Sequence, residues 1–472
     1  MQPTSKNFKS NAAGALSDAE LQRALANVPR GFVKKRADAA AALPEFEQLR
    51  DQGREIKNHT LEHLDLYLEA FEEKVVEAGG YVHWATTAQE ACDLVVRLCL
   101  DREAQTVTKG KSMISEEIGL NAGLEKMNIE PVETDLGEYI IQLRGETPSH
   151  LIAPAVHVTK EQIEADFRKF HTELPEERNL HEPASLVHEA RQILRQKYID
   201  ADVGITGANF LIAETGTSVI VTNEGNGDLT QTLPKTHIVL ASIEKVVPTL
   251  EDASTLVRIL ARSATGQDIS NYTTFSTGPR RRGDPDGPQE YHVVLLDNGR
   301  SSMLGTEFQE MLRCIRCGAC LNHCPVYQAV GGHAYGWVYS GPMGSVLTPN
   351  LIGVNEAGHL PNASTFCGRC EEVCPMRIPL PKMMRHWRER EFEKHLTPFA
   401  MRRGLGVWAW FALRPKFYQR VTSWASRLLK WRAGRSGRLS NVPLAGGWLK
   451  YRDLPAPQGK TFQQMWKERD NV

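Results

Sequence analysis

The sequence predicts an α/β domain, a helix-and-loop module that carries most of the cysteines, and a basic helical tail, in this order. Up to Leu296, short β-rich runs alternate with amphipathic helices, which is typical of an α/β layered domain. Seven of the nine cysteines lie between Cys314 and Cys374. Residues 377–472 carry 21 Lys and Arg but only 6 Asp and Glu, so their net charge is +15 against −16 for the first 376 residues.

The overall composition is that of a globular protein. The chain has 472 residues, 41% of them hydrophobic and 24% charged, with 56 Lys and Arg against 57 Asp and Glu. These values exclude a disordered chain, a collagen-like repeat and a small disulfide-rich scaffold. At roughly 100 to 200 residues per domain, the length predicts two to four domains. No apolar run of about 18 residues and no signal-like N-terminus is present, so we expect a cytoplasmic protein.

Each predicted element follows from its local pattern. Residues 1–60 are typical of polar, Ala-rich helices, with breaks near Pro29 and Pro44. A long helix is predicted over His59–Ala78, where apolar residues recur every three or four positions and Gly79-Gly80 end the run. The predicted strands, rich in β-branched residues, are Thr106–Thr108, Ile129–Thr134, Val203–Thr206, Thr217–Thr222, His237–Ala241 and Tyr291–Leu296.

A hinge at Asp297–Ser302 is the predicted end of the α/β domain. The predicted domains are therefore a helical lead-in at residues 1–60, the α/β domain at 61–300, the cysteine-rich module at 301–390 and the basic tail at 391–472. Cys92 and Cys99 lie seven residues apart on one predicted helix face of the α/β domain, which favours two buried free thiols.

The first cysteine motif has the spacing of an iron–sulfur ligand set. It is a complete C-x2-C-x2-C-x3-C-P run, formed by Cys314, Cys317, Cys320 and Cys324, with Pro325 after the last cysteine. In such runs three thiolates converge on one cluster and the fourth binds a second cluster. Zinc fits poorly, because no matching C-x2-C follows at zinc-ribbon distance.

The second motif supplies only three cysteines, Cys367, Cys370 and Cys374, and Ser364 stands where a fourth would align. The crossed arrangement places Cys374 with Cys314, Cys317 and Cys320 on one complete 4Fe-4S cluster. Cys324, Cys367 and Cys370 then hold a second cluster. Its fourth iron either takes an oxygen ligand such as Ser364, a partner's ligand or a substrate, or is absent, as in a 3Fe-4S cluster.

The spacing of the two motifs favours an α-helical ferredoxin module. The 42 residues between Cys324 and Cys367 are too many for a compact bacterial ferredoxin, and Glu307–Leu312 is predicted to be helical. The module is similar to the C-terminal half of the succinate dehydrogenase iron–sulfur subunit, which also uses seven cysteines for two clusters in this order.

Three further patterns allow both a functional and a structural interpretation. His59–His63 matches the zinc pattern H-x-x-E-H, but it lacks a third ligand and is more typical of a helix surface. Lys109-Gly-Lys111-Ser112 is not a P-loop, because Gln105 replaces the first glycine, yet a helix start with two lysines could hold an anion. The Gly-rich turns within Gly207–Asp228 are either ligand loops or tight β-turns.

The basic tail is rich in tryptophan. Seven of the nine tryptophans lie in residues 387–472, interleaved with Arg and Lys. Such a pattern suits a membrane interface or a groove on a partner, and the alternative is a helical cap over the cysteine-rich module. Nucleic acid is not an expected partner, because the neighbouring motifs are redox motifs.

Taken together, the chain resembles the lactate utilization protein B family of iron–sulfur proteins over nearly its whole length. The stretches that carry the resemblance include Val82–Ala85, Lys109–Asn121, Val132–Glu138, Gly207–Gly227, Gly278–Asp284 and Gly332–Pro342. The resemblance implies a lactate-utilization domain near residues 70–296, related to the sugar-isomerase and CoA-transferase α/β fold, and two 4Fe-4S clusters on the seven cysteines. It also implies a cysteine-rich subunit and a smaller lactate-utilization-domain protein as partners in oxidising L-lactate to pyruvate.

The leading functional hypothesis is an electron-transfer component of an L-lactate oxidoreductase rather than its catalytic subunit. The chain has no flavin-type G-x-G-x-x-G fingerprint and no evident hydride-abstracting His/Arg pair. In the alternative, the α/β domain is itself catalytic on an anionic small molecule near Lys111, Glu214 and Asn223, with the clusters as sensors. A scaffold that only assembles partners is the third hypothesis.

Overall fold

The computed structural model describes residues 3–443, 445–449 and 452–469. Residues 1–2 of the predicted lead-in, and residues 444, 450–451 and 470–472 of the predicted tail, lie outside the described residues. The chain divides into two compact units, Met1–Glu393 and Lys394–Val472. The first unit contains the lead-in, the α/β domain and the cysteine-rich module.

The centre of the first unit is a six-stranded sheet in which all neighbouring strands run parallel. Its strand order is β1-β10-β7-β4-β2-β3. A smaller four-stranded sheet has the order β8-β5-β6-β9, with β5 parallel to β8 and the other pairs antiparallel. The strands are β1 Tyr81–Ala85, β2 Thr106–Gly110, β3 Glu130–Glu133, β4 Val203–Thr206, β5 Phe210–Ile212, β6 Thr217–Thr222, β7 Thr236–Ser242, β8 Val246–Val247, β9 Tyr272–Ser276 and β10 Glu290–Leu296.

Helices cover both faces of the large sheet and build the cysteine-rich module. Those of the first unit are α1 Phe8–Ser17, α2 Ala19–Leu25, α3 Lys34–Ala41, α4 Phe46–Glu62, α5 Leu64–Glu77, α6 Ala88–Leu100, α7 Met113–Glu117, α8 Leu120–Lys126, α9 Leu136–Arg144, α10 Lys160–Phe170, α11 Pro183–Asp200, α12 Asn226–Thr232, α13 Leu250–Ala264, α14 Ala319–Asn322, α15 Pro325–Val330, α16 Gly341–Leu351, α17 Val354–Ala357, α18 Arg369–Glu372 and α19 Leu380–Glu393. A π-helical turn, Pro29–Val33, precedes α3.

The α/β domain with a parallel sheet confirms the predicted fold class at this level. All six predicted strands are present, with ends that differ by at most two residues. On β7, Ile238 and Leu240 pack with Cys92 and Cys99 on one sheet face, whereas Val239 and Ala241 pack on the other. Such two-sided burial is why strands of parallel sheets are almost wholly apolar.

The single helix predicted over His59–Ala78 is wrong in its continuity, because it is interrupted at His63. The structure has two helices there, α4 and α5, which meet at His63. The apolar repeat crosses this break because its members serve two cores. Leu61 packs in the core shared with the cysteine-rich module, while Leu64 and Phe71 pack against the large sheet.

The cysteine-rich module shares one apolar core with the rest of the first unit. Leu49 of α4 and Leu256 of α13 belong to the same buried cluster as Tyr339, Val346 and Trp387. Within the module, the Trp387 ring stacks on Phe308 with 4.2 Å between ring centroids, and its indole N–H donates to Val346 O. The module is therefore packed into the unit rather than attached to it by a few contacts.

The segment predicted as a hinge is fixed by a buried ion-pair network. Arg300, whose side chain is fully buried, donates two hydrogen bonds to Glu117 at 2.9 and 2.7 Å and lies 3.2 Å from Glu244. Burial opposes ionisation of Glu244, but Arg300 and Arg316 outweigh it and lower the pKa of Glu244 to about 2. Charges from the α/β domain, the segment at residue 300 and the cysteine-rich module thus neutralise one another.

The second unit consists mainly of helices. These are α20 Phe399–Ala412, α21 Pro415–Ala433, α22 Gly446–Leu449 and α23 Phe462–Arg469, with a two-stranded antiparallel pair of β11 Arg438–Leu439 and β12 Leu454–Pro455. Trp408, Trp424 and Trp431 are 59%, 65% and 80% exposed. In the described part of the chain, no helix has the length and apolar character needed to cross a membrane.

Candidate functional site

Four of the seven clustered cysteines line one cavity. Cys314, Cys317 and Cys320 come from the first motif and Cys374 from the second, and the remaining lining is largely apolar, including Leu151, Met343 and Met376. Burial and the neighbouring Cys374 and Cys314 raise the pKa of Cys317 to about 12. Burial also raises the pKa of Cys320 and Cys374, so a positively charged group in the cavity would be needed to stabilise these three thiolates.

The other three cysteines form a second, adjacent group. Burial, followed by Cys324 and Cys367, raises the pKa of Cys370 to about 12, and the pKa of Cys320 is raised by burial and by thiols that include Cys370. Cys367 is exposed, so this group is nearer to solvent than the first. Among the described residues, no three His, Cys, Asp or Glu side chains are arranged to hold a single metal ion.

The chemistry of these donors fits iron–sulfur clusters. Thiolates are the ligands of 4Fe-4S clusters, and four sulfurs around an apolar, buried cavity provide the charge and the shielding that such a cluster requires. Each motif also has the same local backbone. A left-handed residue stands before and after Cys317 in the first motif, namely Arg316 and Gly318, and before and after the aligned Cys367 in the second, namely Phe366 and Gly368.

Ser364 occupies the position in the second motif that Cys314 occupies in the first. Both residues follow a short 3-10 turn, with φ and ψ of −66° and 119° at Cys314 and −67° and 136° at Ser364. The Ser364 hydroxyl accepts a hydrogen bond from Phe366 N at 3.1 Å. The alignment of the motifs thus corresponds to a real repeat of backbone structure, with an oxygen in place of the fourth sulfur.

Two arginines of the helical lead-in contact the second motif, and sequence reasoning missed them. Arg50 donates to the carbonyls of Cys374 and Glu372, both at 2.7 Å, and Arg36 donates to Val373 O at 2.8 Å. Both arginines are buried, so they place positive charge beside the thiol groups. Because more than 320 residues separate them from the motif, no local pattern could reveal the contact.

A second cavity, the strand-end cavity, lies at the carboxyl ends of the parallel strands. It has a volume of about 150 Å³, and its lining includes Lys111 after β2, Asp135 after β3, Gly207 after β4 and Lys245 after β7. Open parallel sheets bind ligands at this edge. Gly207 allows the close packing there, because a side-chain carbon in its place would lie 2.5 Å from Lys111 O.

The strand-end cavity also reaches the first cysteine motif. Arg316, which stands between Cys314 and Cys317, lines it, as does Tyr339. Arg316 donates to Glu244 at 3.0 Å and its guanidinium lies over the Tyr339 ring. Leu151 lines both cavities, so a single side chain separates them at that point.

The predicted anion-site residues are only partly brought together. Lys111 and Asn223 line the strand-end cavity, but Glu214 does not, because its side chain accepts a hydrogen bond from Leu250 N at the start of α13. Lys109 is also unavailable, since its buried ammonium is paired with Glu116 and Glu133 at 2.8 and 2.7 Å. The anion site predicted from the sequence therefore retains Lys111 and loses Lys109 and Glu214.

The remaining sequence patterns have structural interpretations. His59 and His63 are exposed, and their rings are in edge contact 4.9 Å apart, with His59 Nε2 2.9 Å from the Tyr67 hydroxyl. Within Gly207–Asp228, Asn209 and Asn223 hydrogen bond to neighbouring loop and strand atoms. Cys92 and Cys99 are buried, free thiols.

Comparison with known proteins identifies the family. The model of the LUD domain matches residues 68–296, that of the 4Fe-4S dicluster domain residues 310–378, and that of the lactate utilisation protein B C-terminal region residues 377–471. A solved DUF162 family protein from Deinococcus radiodurans is 13% identical with a TM-score of 0.28, covering 49% of this chain and 98% of its own, which is too low a similarity to bear on the fold.

Two curated relatives match the chain along its length. Lactate utilization protein B of Anoxybacillus flavithermus is 42% identical, with coverage of 100% of this chain and 99% of the relative. Lactate utilization protein B of Bacillus subtilis is also 42% identical, with coverage of 98% and 96%. With this identity over the full length, and with all three family models in the expected order, the chain belongs to the lactate utilization protein B family of iron–sulfur proteins.

Proposed function

We propose that this protein is the iron–sulfur electron-transfer component of a complex that oxidises L-lactate to pyruvate. The observation that supports the proposal best is the grouping of the seven cysteines into two adjacent sets, four around one cavity and three beside it. In the proposal, Cys314, Cys317, Cys320 and Cys374 hold one 4Fe-4S cluster. Cys324, Cys367 and Cys370 hold the second, with Ser364 as the candidate fourth ligand or with a 3Fe-4S cluster.

When bound, such clusters supply one-electron transfer. The chain's own residues would bind them, shield them and set their charge environment. Met343, Met376 and Leu151 exclude water from the first cysteine group, whereas the exposed Cys367 brings the second group close to the surface. An external electron acceptor would therefore approach the second group, and the first would face the α/β domain through Arg316.

The proposal includes the partners and the location of the protein. We propose a cysteine-rich subunit and a smaller lactate-utilization-domain protein as partners, in the cytoplasm, with contact to the inner membrane face near a quinone-linked acceptor. The relation of the α/β domain to the sugar-isomerase and CoA-transferase fold is part of the same proposal. Anaerobic co-purification identifies the partners, and a flavin in the complex would locate the two-electron chemistry.

The strand-end cavity favours a second candidate function, in which the α/β domain is itself catalytic on an anionic small molecule and the clusters act as redox sensors. The two functions are separated by an assay of the isolated holoprotein with L-lactate and an artificial one-electron acceptor. Electron transfer predicts no turnover until the partner proteins are added, and loss of that turnover in a Cys317→Ser variant. Turnover by the isolated protein would instead support local catalysis.

The assignment of ligands has its own test. If the crossed arrangement is correct, Cys314→Ser and Cys374→Ser should remove the same signal in electron paramagnetic resonance spectra, although the two residues are 60 positions apart in the sequence. Cys324→Ser and Cys367→Ser should both remove the other signal. Identical spectra for Cys324→Ser and Cys314→Ser would contradict this assignment.

A further inference from the structure

The strand-end cavity contains cationic groups that the proposed electron-transfer role does not use. The residue Lys245 is only 8% exposed, and its ammonium makes no ion pair or hydrogen bond with the residues that the structure describes. The Nη1 atom of Arg316 is likewise buried without a hydrogen-bond partner there. Unpaired buried donors of this kind are rare, and they indicate a ligand that completes their hydrogen bonds.

The backbone conformation around the cavity also indicates a ligand site. Lys111 and Arg316 both line it, and both adopt left-handed conformations, with φ of 54° and 60°. Non-glycine residues in this region cost free energy and are concentrated at functional sites. The left-handed conformation of Arg316 is a feature of the cysteine loop, because Phe366 has it at the aligned position of the second motif. Only in the first motif is the residue with this conformation a cation that lines the strand-end cavity.

The charged side chains at the strand-end cavity indicate the class of ligand that it would bind. Lys111 is neutralised by Asp135 at 3.2 Å, and Arg316 belongs to the network in which Glu117 and Glu244 balance it and Arg300. Lys245 is then the one cation among these groups that makes no ion pair. A cavity lined by one unpaired cation is complementary to a monoanion.

A carboxylic acid completes the site. Glu138 lines the cavity, is 8% exposed, and its Oε2 has no hydrogen-bond partner among the described residues. Burial, followed by Glu133 and Asp135, raises the pKa of Glu138 well above its ordinary value and so favours the neutral form of its carboxyl group. A neutral carboxyl group can both donate to and accept from a hydroxyl or carbonyl oxygen of a ligand.

We infer that the strand-end cavity binds a small monocarboxylate that carries a hydroxyl or oxo group, with its carboxylate on Lys245 and Arg316 and its second oxygen towards Glu138. The volume of about 150 Å³ holds a few water molecules or a small organic acid. Because Arg316 lies between Cys314 and Cys317, occupation of the cavity changes the charge environment of the first cysteine group.

Binding to the anaerobically purified full-length protein tests the inference. We expect calorimetry to detect L-lactate or pyruvate at millimolar concentration, with weaker binding of propionate, which lacks the second oxygen, and of the dianion malonate. Lys245→Gln should weaken lactate or pyruvate binding by about tenfold or more, as expected for loss of one hydrogen bond to a charged group. Lys197→Gln, which removes an equal charge from an exposed surface pair with Glu130, should leave binding unchanged.

Further variants separate the effect of a lost charge on binding from an effect on folding. Arg316→Lys should retain more affinity than Arg316→Gln, and Glu138→Gln should reduce the preference for lactate over propionate. Folding of each variant is checked by circular dichroism. Absence of lactate and pyruvate binding to the wild type, or equal affinity in a folded Lys245→Gln variant, would overturn the inference.

A spectroscopic readout rests on the proposed function and is kept separate from binding. Addition of the bound monocarboxylate should shift the cluster signal of the wild type but not that of Lys245→Gln. Binding in a protein without iron would leave the monocarboxylate site valid and refute the electron-transfer role. Iron–sulfur signals without any binding of the monocarboxylate would refute the monocarboxylate site and leave the electron-transfer role valid.

Discussion

Arg316 of the first cysteine motif donates a 3.0 Å hydrogen bond to Glu244, which follows the central strand β7 of the parallel sheet. The same carboxylate lies 3.2 Å from Arg300, which is bonded in turn to Glu117. A continuous chain of buried charges therefore joins the carboxyl end of the parallel sheet to the loop that carries Cys314 and Cys317. The two functional regions of the first unit are parts of one electrostatic arrangement.

Replacement of Arg300 by methionine should destabilise the first unit strongly. The change leaves the buried Glu117 without its cation and Glu244 with Arg316 only, and loss of one partner from a buried pair typically costs about 3–5 kcal/mol. The free energy of unfolding is measured by anaerobic denaturation. Arg23→Met, which affects only exposed pairs, is the control and should change it by less than about 1 kcal/mol. Equal effects of the two changes would refute the structural role of the network.

Loss of the Arg50 guanidinium should make reduction of the neighbouring cluster more difficult. In an Arg50→Met variant, two hydrogen-bonded contacts between a cation and the carbonyls of Cys374 and Glu372 are removed. Charge and hydrogen bonding around a cluster set its potential, so we expect a more negative midpoint potential in a spectroscopic redox titration. Arg54→Met removes a more exposed charge one turn further along α4 and should have a much smaller effect. An unchanged or more positive potential in Arg50→Met would contradict this prediction.

Ser364→Cys should complete the ligand set of the second cysteine group. Since the backbone at Ser364 matches that at Cys314, a thiolate there is positioned as a fourth ligand. If the wild type holds a 3Fe-4S cluster, its signal in the oxidised protein should disappear and the iron content should rise by about one atom per chain. The matched Ser364→Ala variant should not gain iron. Spectra of Ser364→Cys that equal those of Ser364→Ala would show that this position does not reach the cluster.

The exposed tryptophans of α20 and α21 should mediate binding to an anionic membrane. Trp424 and Trp431 are 65% and 80% exposed in a segment of high positive charge, and exposed apolar patches of this kind usually meet a partner or a lipid surface. Flotation with phosphatidylglycerol vesicles should recover the protein at low salt and much less of it at high salt. A double Trp424→Ser, Trp431→Ser variant should not float. Equal flotation with neutral phosphatidylcholine vesicles, or none with either, would exclude this membrane role.

The elements that the sequence predicted well are those whose cause is local. Val203–Thr206 and Thr217–Thr222 have the observed bounds because β-branched runs next to glycines specify buried strands. The spacing from Cys314 to Cys324 likewise identified the iron–sulfur module, since the chemistry of the ligands imposes that spacing.

The features that the sequence did not reveal depend on long-range packing. β1 was not predicted because this short edge strand is only partly buried and carries His83 among its apolar residues. Glu214 was chosen from a Gly-rich pattern, but only the fold shows that its carboxylate caps α13. The contacts of Arg36 and Arg50 with the second motif, and of Arg316 with Glu244, join residues far apart in the chain, so no spacing rule indicates them.

The iron content and electron paramagnetic resonance spectrum of the anaerobically purified, full-length protein test the central claim most directly. Two clusters on Cys314, Cys317, Cys320, Cys374 and on Cys324, Cys367, Cys370 predict about seven to eight irons per chain and a signal that appears or changes on reduction by dithionite. The signal should also respond to L-lactate when the partner proteins are present. Stoichiometric zinc without iron, or clusters that no reductant can reduce, would contradict the account.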